Sequence, residues 1–265
     1  MLAWVVVSSA GLGAAVSADP GVVRRSETSV ASFVNSGPSP VPWKALPVTK
    51  VEGLGDSVPA GTACHCAPYV ALLAKALFAS QGMTGTVSND ASAGLTSAGL
   101  LAQVEQGGIS APPGTVTLVT IGANDFNDQV VSSVGCRRED DLACYRPALS
   151  RLGANLARLL GRLTAAPDHG QVFVTNYWNV FLDGDVANAK GSEYVQDTDS
   201  LTRLVNAVLL RATRKSGNTY VDLYRPFKAY GPNERGLLAA DGDHPSAAGH
   251  ALIARLLQHA LAQTR

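Results

Sequence analysis

Two segments of the sequence carry side chains that could together perform nucleophilic chemistry. Residues 53–57, Gly-Leu-Gly-Asp-Ser, place Ser57 directly after a short apolar run and on a glycine turn that would expose its hydroxyl. Residues 241–246, Asp-Gly-Asp-His-Pro-Ser, carry His244 three residues after Asp241 and just before an apolar-periodic stretch. A carboxylate at that spacing can accept the Nδ1–H of the imidazole and leave Nε2 as a base. The two segments therefore contain a candidate nucleophile, a base and an orienting carboxylate.

A third segment could stabilise negative charge on a reacting carbonyl. Residues 120–125, Thr-Ile-Gly-Ala-Asn-Asp, end another apolar run, and the side-chain amide of Asn124 can donate to a developing oxyanion. Each segment also has a simpler structural interpretation: a serine after glycine can cap a helix, Asn124 can close an Asx turn, and Asp241 or Asp243 can cap the next helix beside an incidental histidine. The catalytic interpretation depends on all three segments meeting in the fold.

Beyond Lys50, short apolar runs alternate with amphipathic stretches. Strands are predicted at 50–54, 85–88, 116–121, 171–176 and 219–223, and helices at 68–80, 97–105, 145–163, 200–214 and 246–263. This alternation predicts a parallel sheet covered by helices on both faces. Ligands of such sheets bind at the carboxyl ends of the strands, which is where Ser57 and Asn124 fall.

In their order along the chain, these segments resemble the sequence blocks of the SGNH (GDSL) hydrolase superfamily. Residues 55–57 resemble its nucleophile block, residues 122–125 its Gly-x-Asn-Asp block, and residues 241–244 its Asp-x-x-His block. The remaining family block contributes a glycine to the oxyanion hole, and Gly94, after the second predicted strand, stands at the expected place. The resemblance extends from about Lys50 to the C terminus.

The resemblance implies a fold and a site. The fold is a flavodoxin-like, three-layer α/β/α sandwich with a parallel sheet of about five strands. Ser57 is the implied nucleophile, His244 the base and Asp241 the carboxylate that steadies it. The backbone N–H groups of Ser57 and Gly94 and the side chain of Asn124 are the implied oxyanion hole.

The implied activity is hydrolysis of a carboxylic ester, of a lipid or of an acylated glycan, through an acyl-enzyme. No metal and no organic cofactor is needed for it. Two alternatives use the same fold: a catalytically silent glycan-binding module, and an acyltransferase that passes the acyl group to an alcohol other than water. The sequence leaves the acyl-chain length and the alcohol portion open.

Composition argues against several other functions. Basic and acidic residues both total 21, and charged residues make up 16% of the chain, so a nucleic-acid partner is not expected. The sequence contains no His-Glu-x-x-His, no phosphate-binding P-loop, no Gly-x-Gly-x-x-Gly and no Gly-x-Ser-x-Gly. We expect a monomer that acts on a small-molecule, lipid or glycan ester.

The first 49 residues have the character of a targeting segment followed by a linker. An uncharged apolar stretch that ends in Val-Ser-Ala predicts a secretory signal peptide over 1–18, and a retained membrane anchor is the alternative. Residues 19–49 are rich in Pro and Ser and are expected to form a leader or linker, with a single hydrolase domain over 50–265. The protein is therefore expected outside the cell, without stable membrane insertion after cleavage.

Four cysteines in a secreted chain favour two disulfides. We expect Cys136 to pair with Cys144 and Cys64 with Cys66 in a very small ring, while the two crossed pairings remain open. Cys64 and Cys66 stand closer together than the usual ligand pairs of zinc sites, so a metal site is not expected.

Two further regions hold aromatic or titratable side chains. The connection 177–199 contains Trp178, Phe181 and Tyr194 among acidic residues and is expected to form the substrate rim, or else an ordinary solvated loop. His250 lies in the last predicted helix and is expected to be partly buried and not catalytic.

Overall fold

A computed structural model of the chain describes residues 46–126, 143–231, 234 and 236–264. All of them belong to one compact unit. The predicted signal peptide, the predicted leader up to residue 45, and Cys136 lie outside the described residues. No helix in the described ranges is both long enough and apolar enough to span a bilayer.

The described strands form one parallel sheet. They are β1 (Lys50–Gly55), β2 (Thr86–Asn89), β3 (Thr115–Thr120), β4 (Gln171–Thr175) and β5 (Thr219–Val221). Their order is β2-β1-β3-β4-β5, the flavodoxin-like order, with Gly55 beside Thr120 at the carboxyl edge. The central strand β3 is buried along its whole length, because a parallel sheet is covered on both faces. The predicted five-stranded parallel sheet is confirmed.

The described helices cover both faces of this sheet. They are α1 (Ser57–Ala60), α2 (Tyr69–Gln81), α3 (Ser97–Gly107), α4 (Arg146–Leu163), α5 (Gly184–Asn188), α6 (Ser192–Lys215), α7 (Tyr224–Lys228) and α8 (Ala247–Gln263). Helix α2 packs against α8, and α4 packs between α3 and α6. Right-handed crossovers in this strand order put the two groups on opposite faces. The predicted three-layer sandwich is thereby confirmed.

Helix α6 begins at Ser192, earlier than the predicted start at residue 200. Thr198, Leu201 and Val205 are buried at helical spacing, so the buried face of the helix extends into the stretch that was assigned to a connection. Among the acidic residues of this stretch, Glu193 lies in the first turn of α6, where a negative charge is favourable to the helix dipole.

Candidate active site

Ser57 is the first residue of α1, directly after β1, and it is half-buried. Asp56 caps this helix, since its Oδ1 accepts a 3.0 Å hydrogen bond from Val58 N. Gly55 has a φ of 135°, and a Cβ there would overlap Thr120 O, so only glycine allows the chain to turn this close to β3. Asp56 N donates to the same oxygen at 3.0 Å. The turn that carries Ser57 is thus fixed against the centre of the sheet.

The loop between β2 and α3 connects that turn to the segment after β3. Ser92 N donates to Gly55 O at 2.9 Å, and Asn124 Nδ2 donates to Leu95 O at 3.0 Å. Gly94 lies between these two contacts, with a φ of 79°. The three predicted oxyanion donors therefore lie on segments that are hydrogen-bonded to one another.

Asp125 fixes the 3₁₀ turn Ala123–Asp125 that carries Asn124. Its carboxylate accepts hydrogen bonds from Ser97 N at 2.9 Å and from Ser97 Oγ at 2.5 Å, at the start of α3. Burial raises the pKa of Asp125, although the two bonds from Ser97 oppose that shift. Asp125 thus anchors the turn to the start of α3. This places Asn124 next to the loop between β2 and α3, where its side chain bonds to Leu95 O.

Asp241 and His244 form a hydrogen-bonded pair in the turn before α8. Asp241 Oδ2 lies 2.7 Å from His244 Nδ1, and Asp241 Oδ1 accepts from the N–H groups of Asp243 and His244, both at 3.1 Å. Burial raises the pKa of Asp241, but these hydrogen bonds outweigh it and hold the pKa below its ordinary value. An ionised carboxylate can only accept, so Nδ1 carries the hydrogen and Nε2 of the neutral ring holds the lone pair.

His244 lies close enough to the nucleophile turn to act on it electrostatically. Burial, opposed by the hydrogen bonds from Tyr177 and Val58, raises the pKa of the Asp56 carboxyl to about 7, and the charges of Asp243 and His244 shift it in opposite directions. Because Asp56 immediately precedes Ser57, the charge of His244 acts on the residue next to the candidate nucleophile.

A buried charge cluster supports the turn that carries His244. Asp183 N donates to Gly242 O at 2.6 Å, and the Asp183 carboxylate pairs with Lys228 Nζ, which also lies 2.7 Å from Glu234 Oε1. Gly242 has a φ of 71°, and a Cβ there would lie 2.6 Å from Val186 Cβ, so a larger residue would push the turn away. The segment after β4 therefore packs against the histidine turn and holds it in place.

Two of the three aromatic residues predicted for the substrate rim lie in the core. Trp178 is 1% exposed and stacks on Phe227 with ring centroids 4.3 Å apart, and Phe181 is 9% exposed. These two side chains are buried in the core and cannot present a surface to a substrate, in contrast to the prediction. Tyr194 is half-buried, and Asp243 is near enough to contribute to its raised pKa, after burial itself. Of the three, only Tyr194 keeps part of its surface exposed.

The described cysteines are oxidised. Cys64 and Cys66 form a disulfide with each other. Cys144 is disulfide-bonded as well, and Cys136, with which it was expected to pair, lies outside the described residues.

The sulfurs of Cys64 and Cys66 and a ring nitrogen of His250 lie within 4.8 Å of one another. The two sulfurs are bonded to each other, and His250 Nδ1 accepts a 3.3 Å hydrogen bond from Tyr69 N. Metal ligation requires thiolates and a free imidazole lone pair, so this group does not fit a metal ion in its oxidised state.

His250 is fully buried on α8, and its ring stacks on Tyr69. Its Nε2 has no hydrogen-bond partner among the described residues. Burial, and to a smaller extent the charge of His244, lowers the pKa of His250 to about 4. The ring is therefore a neutral part of the packing between α2 and α8.

We expect His250 to make the free energy of unfolding fall as the pH drops from about 6.5 to about 4. The unfolded chain protonates this residue below its ordinary value of 6.5, whereas the folded chain does so only near 4, so unfolding takes up a proton in this window. The effect amounts to about 3 kcal/mol at most. Urea unfolding at several pH values measures it.

The matched comparison is between His250→Gln and His259→Gln, which changes an exposed histidine of the same helix. Asp56 and Glu234, whose pKa values burial raises to about 7, oppose the trend equally in all three proteins. As the pH falls from about 6.5 to about 4, the free energy of unfolding of His250→Gln should rise relative to that of the wild type, and that of His259→Gln should not. Parallel curves for the wild type and His250→Gln would contradict this assignment.

Two supports of the site were not predicted. Tyr177 contacts the nucleophile turn, and the pair of Asp183 and Lys228 contacts the histidine turn. Tyr177 could have been found from its position just after β4, because this is the edge of the sheet at which Ser57 follows β1. No sequence pattern indicated that Asp183 and Lys228 would pair.

The chain is similar to known proteins in sequence and in fold. The sequence model of the GDSL-like Lipase/Acylhydrolase family matches residues 54–252. The extracellular lipase of Streptomyces rimosus has 23% identity and a TM-score of 0.58, over 80% of this chain and 99% of that one. A lipase, Lip_vut3, from a goat rumen metagenome has 18% identity and a TM-score of 0.61, over 80% and 96%. An acetyl-xylooligosaccharide esterase from Geobacillus has 21% identity and a TM-score of 0.56, over 81% and 96%. No curated protein sequence gives a significant match.

Proposed function

The chain belongs to the GDSL-like lipase/acylhydrolase family and is a carboxylic ester hydrolase, and we propose that Ser57, His244 and Asp241 carry out the reaction as a catalytic triad. The observation that carries this proposal is the 2.7 Å contact between Asp241 Oδ2 and His244 Nδ1, on a turn that acts electrostatically on the residue before Ser57. The contact fixes the tautomer that leaves Nε2 as a base.

In the first half of the reaction, Ser57 Oγ attacks the ester carbonyl while His244 Nε2 takes its proton. The Asp241 carboxylate accepts the Nδ1–H throughout and stabilises the imidazolium that forms. The imidazolium then gives its proton to the leaving alcohol, and the acyl group remains on Ser57. In the second half, water repeats the attack and the same proton transfers release the acid.

The oxyanion receives hydrogen bonds from the N–H groups of Ser57 and Gly94 and from the side chain of Asn124. The first N–H groups of a helix have no partner within it, and Ser57 is the first residue of α1. Asn124 Nδ2 is oriented by its bond to Leu95 O. These donors stabilise the oxyanion and Asp241 stabilises the imidazolium, so the proposed reaction requires no cofactor.

The proposed substrate is an ester of a lipid or of an acylated glycan outside the cell. The solved structures with this fold include an extracellular lipase and an acetyl-xylooligosaccharide esterase, and the half-buried Tyr194 offers an aromatic contact. The organisation that goes with this proposal is a signal peptide over 1–18, a leader over 19–49 and a catalytic domain over 50–265. N-terminal sequencing of protein from the medium tests for cleavage after Ala18.

A fluorophosphonate probe and an ester series test the proposal together. The probe should form a covalent adduct that peptide mass spectrometry maps to Ser57. Hydrolysis rates for aryl esters from acetyl to long-chain acyl then show whether the acyl pocket is short or long. A folded protein that hydrolyses esters but carries the adduct on another residue would overturn the triad.

Asn124→Ala should lower kcat by about 10²- to 10³-fold with a much smaller change in KM, because an oxyanion donor acts mainly in the transition state. Asn218→Ala is the matched control. Its side chain also makes hydrogen bonds, to Ser216, but at the amino end of β5 on the opposite edge of the sheet. Equal kcat values for both variants would remove Asn124 from the oxyanion hole.

A further inference from the structure

We propose that Tyr177 is a positioning residue, which holds the nucleophile turn and the oxyanion turn together by bonding to Asp56 and to Ala123 N at once. The inference rests on the proposed function of Ser57 and Asn124, the residues that follow directly on those two contacts. It assigns a role in the reaction to a side chain that does not touch the substrate.

The backbone of Tyr177 is held firmly at the carboxyl edge of the sheet. The residue follows β4 and is 1% exposed. Tyr177 N donates to Asn206 Oδ1 at 3.1 Å, and Asn206 Nδ2 donates back to Tyr177 O at 2.8 Å. Since Asn206 lies in the middle of α6, the position of the tyrosine is set by the sheet and by a long helix rather than by the active-site loops.

The phenol joins two of those loops. Tyr177 OH donates to Asp56 Oδ2 and accepts a 3.4 Å hydrogen bond from Ala123 N. The other oxygen of Asp56 accepts from Val58 N within the nucleophile turn. A single hydroxyl thus uses its donor and its acceptor capacity to tie the turn after β1 to the turn after β3.

Electrostatics keep the hydrogen of this bond on the phenol. Burial and the adjacent Asp56 carboxylate raise the pKa of Tyr177 well above its ordinary value. For Asp56, the raising effect of burial is opposed first by the bond from Tyr177. Removal of the phenol oxygen would leave a buried carboxyl oxygen and the Ala123 N–H without this partner. The two turns would then be free to shift relative to each other by a fraction of an ångström.

The test compares Tyr177→Phe with Tyr69→Phe. Tyr69 is equally buried, and its hydroxyl makes a 2.7 Å hydrogen bond to Thr120 Oγ1 but none to Asp56. Each change therefore removes one buried hydroxyl from the same region of the core. The measurements are kcat and KM for an aryl ester, the maximal rate and affinity of Ser57 modification by a fluorophosphonate, and the thermal midpoint.

Both variants should lose similar thermal stability. In Tyr177→Phe, kcat and the maximal modification rate should fall about 10- to 100-fold while KM and probe affinity change less than about threefold, because misplacement of a nucleophile slows the chemical step. Tyr69→Phe should keep both rates within about threefold of the wild type. Equal rate losses in the two variants would show a general effect of a disturbed core and would overturn the inference.

A second test combines Tyr177→Phe with Asp56→Asn, a substitution that removes the carboxylate partner and does not alter the aromatic core. The Tyr177→Phe change should cost less in the Asp56→Asn background than in the wild type, since the two residues act through one hydrogen bond. Additive losses would overturn the inference. If the probe labels Ser57 in the wild type and Tyr177→Phe is modified at the same maximal rate, the inference about Tyr177 is overturned. The proposed function of Ser57 is unaffected by that result. Absence of labelling in the wild type would instead refute the proposed function.

Discussion

Ser57→Ala is expected to lower the turnover of aryl esters by about 10⁴- to 10⁶-fold. Alanine retains the backbone N–H but removes the only oxygen proposed to form the acyl-enzyme. Residual activity would come from the oxyanion hole and from substrate binding, which the substitution leaves in place. The fold should be unaffected, because the Asp56 cap and the Gly55 turn do not involve the serine side chain.

The measurement is kcat with a short-chain aryl ester, together with the thermal midpoint and fluorophosphonate labelling. Ser80→Ala is the control, since Ser80 is exposed at the end of α2 and, within the described ranges, its hydroxyl bonds only to Leu77 O. It should keep full activity and labelling. A Ser57→Ala protein with wild-type turnover would refute the nucleophile assignment and with it the acyl-enzyme.

Asp241→Asn is expected to lower kcat by about 10⁴-fold with an unchanged fold. The asparagine side chain has the shape of the carboxylate, but its amide nitrogen donates where Oδ2 accepted. The imidazole would then turn or change tautomer so that Nε2 no longer holds the lone pair that receives the serine proton. Loss of the negative charge also removes stabilisation of the imidazolium.

Asp243→Asn is the matched control, because Asp243 lies on the same turn but its Oδ2 is 3.8 Å from His244 Nδ1. Burial raises the pKa of Asp243 to about 6, and the charges of His244 and Asp241 shift it in opposite directions. The substitution should change kcat by less than about tenfold. A larger loss in Asp243→Asn than in Asp241→Asn would transfer the orienting role to Asp243. The measurement is kcat for both variants at a pH above 7, where the wild-type carboxylates are ionised.

The sequence by itself determined the five strands, the five long helices and the turns of the site, because these depend on residues close together in the chain, whereas the short helices α1, α5 and α7 were not predicted. Alternating apolar runs predicted the five strands to within a few residues, since burial on both faces of a parallel sheet requires such runs. The turn 241–244 was predictable for the same reason: its hydrogen bonds span three residues. The close pairing of Cys64 with Cys66, which the sequence analysis expected beside two open crossed pairings, is equally local.

Only the tertiary structure decided which side chains face the substrate and which support the site. Trp178 and Phe181 are aromatic residues of the kind expected at a substrate rim, yet both are buried in the core, where Trp178 stacks on Phe227 of α7. Tyr177 meets Asp56 across 121 positions of sequence, and Lys228 meets Asp183 across 45. Such contacts depend on strand order and on which helix lies over a given loop. Hydrophobic period and turn chemistry are short-range properties of the chain, so they could predict where strands end but not which distant residues meet there.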